Sequence, residues 1–295
     1  MQDSARVPRR RGVAAYVHGQ TAPGRGPPLV RRRAVSKTLS LLNWISAGEG
    51  DPVLLIHGDL ENGRAAWGAL MRRGFPGYRL VAIDRRGNGG SPAARGTLTI
   101  AREARDLFAA IDGLGIVDAH LVGHSSGAVV AMEAARQVPE RARSLHLIEP
   151  PLLGIAIDDP CVSALRQATQ GLFRRRDISP EAVAHSFLAA VLGESEAHAL
   201  AGKSAWPAIV REAGALRWRE PPASYLPAQE SLTNAVPIHV YLGSRSHPAF
   251  EIVATRLAAI VRVARIVRVH DAGHDLQVTE TFARALLEGL TPSHH

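Results

Sequence analysis

The sequence has 295 residues, of which 46% are hydrophobic and 21% charged, a composition typical of a soluble globular protein with one large α/β domain and an insertion. Its single cysteine, Cys161, excludes an internal disulfide, and no apolar run approaches the roughly 20 residues that cross a bilayer. The formal net charge of +8 does not indicate a basic binding face, because residues 1–33 hold eight arginines against one acid and the remainder is nearly neutral.

The basic tail, residues 1–35, is rich in Arg, Pro and Gly and cannot bury enough apolar surface to fold alone. We expect a disordered extension, with nonspecific contact to nucleic acid as the alternative. A twin-arginine export signal does not fit, because only the short apolar run 13–17 follows the arginines at 9–11. We therefore expect a cytoplasmic protein with a small-molecule substrate, no specific nucleic-acid partner and no membrane partner. The oligomeric state is left open.

Strands and helices alternate after the tail. Residues 38–45 predict one or two entry strands, and the continuous apolar run 53–57 is typical of a strand buried on both faces of a parallel sheet. The same reasoning predicts three further strands, at 78–83, 119–123 and 143–148. It also predicts three helices, at 59–73, 97–114 and 126–138. This alternation predicts a mostly parallel twisted sheet flanked by helices.

The loop 84–91 is glycine-rich, and an alternative interpretation is that it binds phosphate. It lacks the Gly-Lys-Ser/Thr of such a loop and does not run directly into a helix, so we disfavour that alternative. Arg86 is expected to brace this loop.

The α/β alternation stops after Glu149-Pro150-Pro151. Residues 151–235 contain no convincing buried strand, and we interpret them as a helical lid inserted between the sixth and seventh core strands, with a separate domain as the alternative. Strands at 238–242 and 265–269 and helices at 250–261 and 279–290 then resume the pattern. The predicted organisation is therefore a tail at 1–35, a core at 36–150 and 236–295, and a lid at 151–235.

The segment 119–130 carries the chemistry. An apolar strand ends in Gly-His-Ser-Ser-Gly at 123–127, and an alanine-rich helical pattern follows. In that context the motif predicts a sharp turn with Ser125 at its apex, where Gly123 and Gly127 avoid crowding the turn. Ser125 is therefore the candidate nucleophile, at the start of a helix whose amide dipoles favour negative charge.

A serine needs a base within hydrogen-bond reach, and that base needs an acid to orient it. His274 is the best candidate base, because Ala272-Gly273-His274 directly follows the last strand and its loop can reach the carboxyl edge of the sheet. The other histidines fit less well: His57 closes a strand, His124 flanks the serine, and His294 and His295 are terminal.

From residue 38 to 290 the chain resembles the α/β-hydrolase superfamily. Five landmarks match in order, namely 53–58, 84–91, 123–127, Glu149-Pro150-Pro151 and 272–274. The resemblance implies an oxyanion hole made of two backbone amides, one near Asp59 and the other at Ser126. A carboxylate beside such an amide is unusual, so we expect the Asp59 side chain to point away, hold a water or contact substrate.

The acid departs from the superfamily's usual pattern. Most members place an aspartate in a Gly-x-x-Asp turn after the strand that follows the lid, and the matching position here is Ser246. Haloalkane dehalogenases and some related hydrolases carry the acid at the position of Glu149, so the resemblance implies Glu149 as the relocated acid. Asp271 and Asp275 lie too close in sequence to His274 to be preferred.

Six residues are further candidates for lining the substrate pocket: Leu60, His124, Leu152, Leu153, Trp206 and Trp218. Phe173 is considered with them, and Trp67 is expected in the core. No metal ligands and no cofactor are expected.

These features predict a cofactor-independent serine hydrolase that cleaves a carboxylic ester, thioester or lactone of a small hydrophobic substrate through an acyl-enzyme. A serine nucleophile disfavours haloalkane dehalogenase and epoxide hydrolase chemistry, since those enzymes use an aspartate. The alternatives are C–C bond hydrolysis, perhydrolysis or amide hydrolysis on the same fold, and a ligand-binding, receptor-like protein with weak or no catalysis.

Overall fold

The structure is a computed structural model that describes residues 30–31, 42–226 and 236–291, with the backbone only for Val30, Arg31 and Ala264. Its eight strands are β1 (Val30–Arg31), β2 (Trp44–Ala47), β3 (Asp51–Ile56), β4 (Tyr78–Ile83), β5 (Ala119–His124), β6 (Ala142–Ile148), β7 (Ile238–Gly243) and β8 (Val263–Val269). They form one sheet in the order β1-β2-β4-β3-β5-β6-β7-β8. The β1–β2 and β2–β4 pairs are antiparallel and all others are parallel.

Nine α-helices belong to the described part of the chain. They are α1 (Gly63–Arg73), α2 (Ile100–Gly113), α3 (Ser126–Gln137), α4 (Pro160–Gln170), α5 (Pro180–Leu192), α6 (Glu194–Ala201), α7 (Trp206–Ala213), α8 (Ala249–Ile260) and α9 (Glu280–Leu290). Several begin at a capping side chain that satisfies a free amide of the first turn. Thr99 caps α2, Asp159 caps α4 and Ser179 caps α5.

The sheet separates two hydrophobic layers. Because successive side chains of a strand point to opposite faces, Leu54 and Ile56 of β3 join the layer under α2, α3 and α8, while Val53 and Leu55 join the layer under α1 and α9. Trp67 of α1 is fully buried in the second layer. Parallel strands covered on both faces produce the continuous apolar runs of the sequence.

In the chain, helices α4 to α7 lie between β6 and β7, together with short 3₁₀ helices at Leu153–Ala156, Gly214–Trp218 and Pro222–Ser224. They form the described part of the segment predicted as a lid, which is called the lid below. Within 151–226 no strand is present apart from one isolated bridge, between Leu98 and Arg219. Residues 227–235 of the predicted lid lie outside the described residues.

Most predicted element ends lie within three residues of those observed, as expected for helix termini that fray. The helix predicted at 59–73 begins four residues later, at Gly63, and the strand predicted within 38–45 is observed at Trp44–Ala47. One difference concerns the tail. Val30–Arg31 falls within the predicted tail 1–35 but pairs with β2 as the edge strand β1. Backbone pairing at a sheet edge requires little of the side chains, so the composition of the tail did not reveal it. The remaining tail residues, and residues 38–41 of the predicted entry strands, lie outside the described part of the chain.

Within the described ranges, no helix has the length and apolar character needed to cross a membrane.

Candidate active site

Ser125 lies between β5 and α3 with φ 51° and ψ −124°, a conformation that is rare for a residue with a side chain. Its amide donates to the carbonyl of Ile148 at 2.8 Å, and its own carbonyl accepts from the Ala128 amide at 2.9 Å. These bonds hold the strained turn against the neighbouring strand and the first turn of the helix. Such strain persists only where surrounding contacts impose it.

The two motif glycines are required by close packing. A Cβ on Gly123 would collide with the backbone of Gly127 and Ala128, and a Cβ on Gly127 would collide with the carbonyl oxygens of Ile56 and His57. Helix α3 therefore starts in direct contact with β3 and β5. This closeness sets Ser125 at the carboxyl edge of the sheet.

The Glu149 carboxylate lies between two groups on neighbouring elements. Its Oε2 is 2.6 Å from Nδ1 of His274, and its Oε1 accepts a hydrogen bond from the Gly243 amide at 2.7 Å. Glu149 has no exposed surface and a φ of 44°. This arrangement makes Nδ1 of His274 the protonated nitrogen and leaves Nε2 free to accept a proton.

The ring of His274 is held on both faces. It stacks on Phe250 with ring centroids 4.8 Å apart and an interplanar angle of 19°, and it lies 4.8 Å from the His124 ring at 48°. Ser125 and His274 line the same cavity. Among the described residues no hydrogen bond joins the Ser125 hydroxyl to His274. Hydrogen bonds between a nucleophile and its base often shorten only in the complex with substrate.

The other candidate acids are placed elsewhere. Asp271 is exposed, and its carbonyl accepts a hydrogen bond from the Arg245 guanidinium. The Ser246 hydroxyl is buried without a hydrogen-bond partner among the described residues. Asp275 is half-buried and lines the cavity beside His274, but Glu149 holds the Nδ1 position.

Of the two amides proposed for the oxyanion hole, that of Ser126 follows Ser125 directly in the chain, and that of Asp59 belongs to a residue that lines the same cavity as Ser125. Neither the Asp59 amide nor the Ser126 amide donates a hydrogen bond within the described ranges. The Ser126 hydroxyl accepts from Nη1 of Arg85 at 2.6 Å, and the same guanidinium group donates to the carbonyls of His57 and Gly58, both at 3.3 Å. Arg85 thus connects the two loops that carry the amides.

Asp59 belongs to a buried four-residue ion-pair network with Arg85, Glu103 and Arg219. Its Oδ1 is 3.5 Å from Arg85 and 3.4 Å from Arg219, while Glu103 accepts from Arg85 at 2.9 Å and from Arg219 at 3.3 Å. All four side chains are at most 4% exposed. The two guanidinium groups therefore balance the two carboxylates. The Asp59 carboxylate leaves no net negative charge beside its own backbone amide.

The network sets the protonation of its members. Burial alone would raise the pKa of Glu103, but Arg219 and Arg85 outweigh it and lower that pKa. Burial and the charge of Arg85 lower the pKa of the Arg219 guanidinium. Because Arg219 belongs to the segment between β6 and β7 and the other three residues belong to the core, the network also joins this segment to the core.

His124 lies next to Ser125 in the chain and contacts the backbone of His274. Its Nε2 contacts the His274 carbonyl at 2.9 Å and its Nδ1 lies 3.3 Å from Oε2 of Glu61. Burial acts to lower the pKa of His124, but the Glu61 carboxylate outweighs it and the pKa is raised.

His57 has a structural place. It accepts from the Arg85 amide at 2.9 Å through Nε2 and donates from Nδ1 to the Gly58 carbonyl at 2.7 Å. Burial and the charges of Arg85 and Arg219 hold the pKa of His57 well below its usual value, so the ring is neutral.

The loop 84–91 has no free amides for a phosphate at its centre. The Asp84 carboxylate accepts from the amides of Gly63 and Gly90, both at 2.8 Å, and Glu212 of the lid accepts from the Gly89 amide at 3.0 Å. Protein carboxylates therefore occupy the positions that a phosphate would need. Arg86 braces this loop to α2 through a bidentate pair with Asp106, at 2.6 and 2.8 Å.

Two cavities meet at Ser125. They are called here the histidine cavity and the apolar cavity. The histidine cavity is lined by Asp59, Leu60, Glu61, His124, Ser125, Phe187, Leu188, Val191, Leu192, His274 and Asp275. The apolar cavity is lined by Asp59, Ser125, Pro151, Leu153, Leu165, Thr169, Phe173, Phe187, Val191, Pro222, Ala223 and Phe250.

Three of the six predicted pocket residues line a cavity: Leu60 and His124 line the histidine cavity, and Leu153 lines the apolar cavity, as does Phe173. The other three, Leu152, Trp206 and Trp218, line neither, and placing them in the pocket was wrong.

Each of these three side chains is engaged elsewhere. Leu152 is fully buried in the core, and Nε1 of Trp206 donates to Glu181 of α5 at 3.1 Å. The Arg176 guanidinium lies 4.3 Å from the centre of the Trp218 ring. These two tryptophans are lid packing.

Sequence reasoning missed the helix that covers the serine. Phe187 and Val191, one turn apart on α5, line both cavities. Phe250 was missed as well, although it lies shortly after the Gly243 turn and stacks on His274. The sequence does show Phe187 and Val191 as an apolar pair at i, i+4 spacing. Such spacing predicts a buried helix face but not which helix lies above the serine.

Residues 51–281 match the model of a protein family described as the alpha/beta hydrolase fold. The chain belongs to the α/β-hydrolase family. The predicted fold class, a mostly parallel sheet flanked by helices, is thereby confirmed.

Two curated relatives cover parts of this α/β hydrolase. It is 34% identical over 101 residues to a putative carbamate hydrolase, RutD, of Azorhizobium caulinodans, covering 34% of this chain and 38% of that protein. It is 34% identical over 123 residues to the 2-hydroxy-6-oxo-6-phenylhexa-2,4-dienoate hydrolase of Comamonas testosteroni, covering 39% and 41% respectively. The chain thus spans about two fifths of the length of these relatives.

A solved structure extends the likeness to most of the fold. The carboxylesterase CesB of Bacillus subtilis superposes with a TM-score of 0.61 at 20% identity, covering 89% of this chain and 90% of that one. In the described ranges no group of three His, Cys, Asp or Glu side chains is arranged to hold a metal ion.

Proposed function

We propose that this chain is a serine hydrolase that cleaves a carboxylic ester, thioester or lactone of a small hydrophobic substrate through an acyl-enzyme intermediate. The observation that carries the proposal is the 2.6 Å contact between Nδ1 of His274 and Oε2 of Glu149, in a cavity shared with Ser125. A histidine fixed in this tautomer by a buried carboxylate is the base that a serine nucleophile requires.

The first half of the reaction acylates the enzyme. Oγ of Ser125 attacks the carbonyl carbon while its proton moves to Nε2 of His274, and Glu149 stabilises the imidazolium. The amides of Asp59 and Ser126 receive the oxyanion, and loss of one such donor costs roughly 3–4 kcal/mol in a serine protease example. The tetrahedral intermediate then breaks its bond to the leaving group, which takes the proton from His274.

The second half regenerates the serine. A water molecule gives a proton to His274 and attacks the acyl carbonyl, the bond to Oγ of Ser125 breaks, and His274 returns the proton to Oγ. The carboxylic acid then leaves. Each step uses only Ser125, His274, Glu149, the two loop amides and water, so we propose a reaction that needs no cofactor.

The relatives' names support attack at a carbonyl carbon without selecting the bond. A carbamate hydrolase, a hydrolase of an oxo-dienoate and a carboxylesterase differ in leaving group. We favour an ester or thioester because the apolar cavity, in which Thr169 and Asp59 are the polar side chains besides Ser125, suits a small hydrophobic acyl group.

The test is a substrate panel on the full chain: p-nitrophenyl esters of increasing acyl length, a lactone and a C–C bond substrate. We expect turnover of the short-chain esters by the wild type and its loss in Ser125→Ala. Turnover of the C–C substrate alone would replace the ester assignment with the alternative chemistry. Absence of turnover on every substrate, in a folded protein, would favour a receptor-like protein.

A further inference from the structure

The two cavities differ in their relation to the base. Both are lined by Asp59, Ser125, Phe187 and Val191, but His274 lines only the histidine cavity. In acyl transfer the histidine gives its proton to the departing group, so that group must lie beside the histidine. On the proposed function, the histidine cavity therefore holds the leaving group and the apolar cavity holds the acyl group.

The leaving-group side is acidic. Asp59, Glu61 and Asp275 all line the histidine cavity, whereas the apolar cavity shares only Asp59. Glu61 is satisfied, because its Oε2 accepts from the Gly58 amide at 3.3 Å and lies 3.3 Å from Nδ1 of His124. The other two carboxylates have unused capacity.

Asp59 presents an unpartnered acceptor. Its side chain is 1% exposed, and its Oδ1 faces the two arginines while its Oδ2 is buried with no hydrogen-bond partner among the described residues. An acceptor buried in this way costs free energy that a ligand donor would recover. Because Asp59 lines both cavities next to Ser125, such a donor would lie near the scissile bond.

Asp275 adds charge. It is half-buried, and within the described ranges it forms no ion pair. The charges of Arg85 and Arg219 are already balanced by those of Asp59 and Glu103 in the buried network. Burial raises the pKa of Asp275 against the opposing effects of His274 and His124, so a cation beside this carboxylate would stabilise its charged form.

We propose that the histidine cavity selects a leaving group that carries a protonated amine, with Asp59 Oδ2 accepting its N–H and Asp275 balancing its charge. The substrate class is then an apolar acyl ester of an amino alcohol. The inference rests on the proposed function and specifies its substrate. The ester bond breaks as described above, and the amino alcohol leaves with the proton from His274.

The experiment compares four butanoate esters in two isosteric pairs at pH 7. The 2-(dimethylammonio)ethyl ester has a charged N–H donor and the 3-methylbutyl ester is its neutral isostere. The 2-(trimethylammonio)ethyl ester has the charge without the donor and the 3,3-dimethylbutyl ester is its neutral isostere. We expect kcat/KM for the 2-(dimethylammonio)ethyl ester to exceed that for its neutral isostere by about tenfold or more. The ratio for the 2-(trimethylammonio)ethyl ester and its isostere should be smaller.

Two variants assign the effects. Asp59→Asn keeps an acceptor for the arginines but replaces the remaining oxygen with an amide NH2 group, which donates and cannot accept, so it should remove the advantage of the N–H donor and bring the two pair ratios together. Asp275→Asn should lower both ratios by several fold. Asp118→Asn, at a half-buried carboxylate that pairs with Arg143 at the opposite end of β5, is the control and should leave both ratios unchanged. Melting temperatures of all three variants show whether each is folded.

The inference is overturned if neither pair shows discrimination, or if discrimination is the same in the wild type, Asp59→Asn and Asp275→Asn. Should Asp59→Asn fail to fold, the ratios of kcat/KM within the two ester pairs, measured in the wild type and in Asp275→Asn, still test the inference. Turnover of the neutral esters without discrimination leaves the proposed function intact. Failure to turn over any of the four esters, together with no fluorophosphonate labelling of Ser125, overturns the proposed function and this inference with it.

Discussion

Glu149 and His274 are 125 residues apart in the chain and 2.6 Å apart in the structure. The contact exists because β6 and β7 are neighbours, with Ile148 opposite Tyr241, and Glu149 directly follows β6. Its second oxygen accepts from the Gly243 amide at the end of β7, so the side chain reaches across one strand to the turn where most superfamily members carry an aspartate.

The first prediction compares these two positions. Glu149→Gln should lower kcat by about three to four orders of magnitude, because the amide holds the wrong tautomer of His274 and cannot stabilise its charge. Ser246→Ala should leave kcat within about twofold, because the Ser246 hydroxyl has no partner among the described residues and its removal leaves no group unpaired. Steady-state kinetics with p-nitrophenyl butanoate measures both. The reverse ranking would place the acid at the turn after β7.

The second prediction concerns the elbow. Gly127→Ala should prevent correct folding or abolish activity, because the new Cβ would collide with the carbonyl oxygens of Ile56 and His57. Gly171→Ala is the matched control: it has negative φ and no atom within 4 Å of the added Cβ, so we expect a change of stability within about 1 kcal/mol. Chemical denaturation of both variants tests this, and a stable, active Gly127→Ala protein would contradict the close packing.

Landmarks and elements could be predicted because they are local. Alternating apolar runs, the turn at Ser125 and the loop after β8 each depend on a few consecutive residues. The place of Asp59 could not be predicted, because its partner Arg219 is 160 residues away and belongs to the lid. Trp206 and Trp218 were wrongly assigned to the pocket for the same reason: helical periodicity gives an apolar face but not the element that it packs against.

The third prediction tests the lid attachment. Arg219→Met should lower the free energy of unfolding by about 3–5 kcal/mol, because it leaves two buried carboxylates with a single guanidinium. Arg211→Met, which removes an arginine side chain that is 67% exposed, should change it by less than about 1 kcal/mol. Urea denaturation gives both values. Equal effects of the two substitutions would show that the buried network does not hold the lid.

The fourth prediction concerns pH. His146 is buried between Ser144 and Tyr241, and burial with the neighbouring His239 and His120 holds its pKa well below 6.5. Below pH 6.5 this histidine is therefore protonated in the unfolded chain but stays neutral in the folded chain. The contribution of His146 to the free energy of unfolding is present above pH 6.5 and is lost as the pH falls below that value, by up to about 1.4 kcal/mol per pH unit.

The measurement is the free energy of unfolding at pH 5.5 and 7.5. His146→Gln should reduce the loss of stability between these values, whereas His198→Gln, at an exposed position of α6, should reproduce the wild-type slope. An unchanged slope in His146→Gln would mean that His146 is not the group that resists protonation.

The most direct test of the central claim is to locate the covalent adduct of a fluorophosphonate by mass spectrometry of the digested protein. Ser126 is the internal control, because its hydroxyl lies one residue away and accepts a hydrogen bond from Arg85. We predict one adduct, on Ser125, in the wild type and in Ser126→Ala, and none in Ser125→Ala. An adduct that persists in folded Ser125→Ala, or that disappears only in Ser126→Ala, would contradict the assignment of Ser125 as the nucleophile.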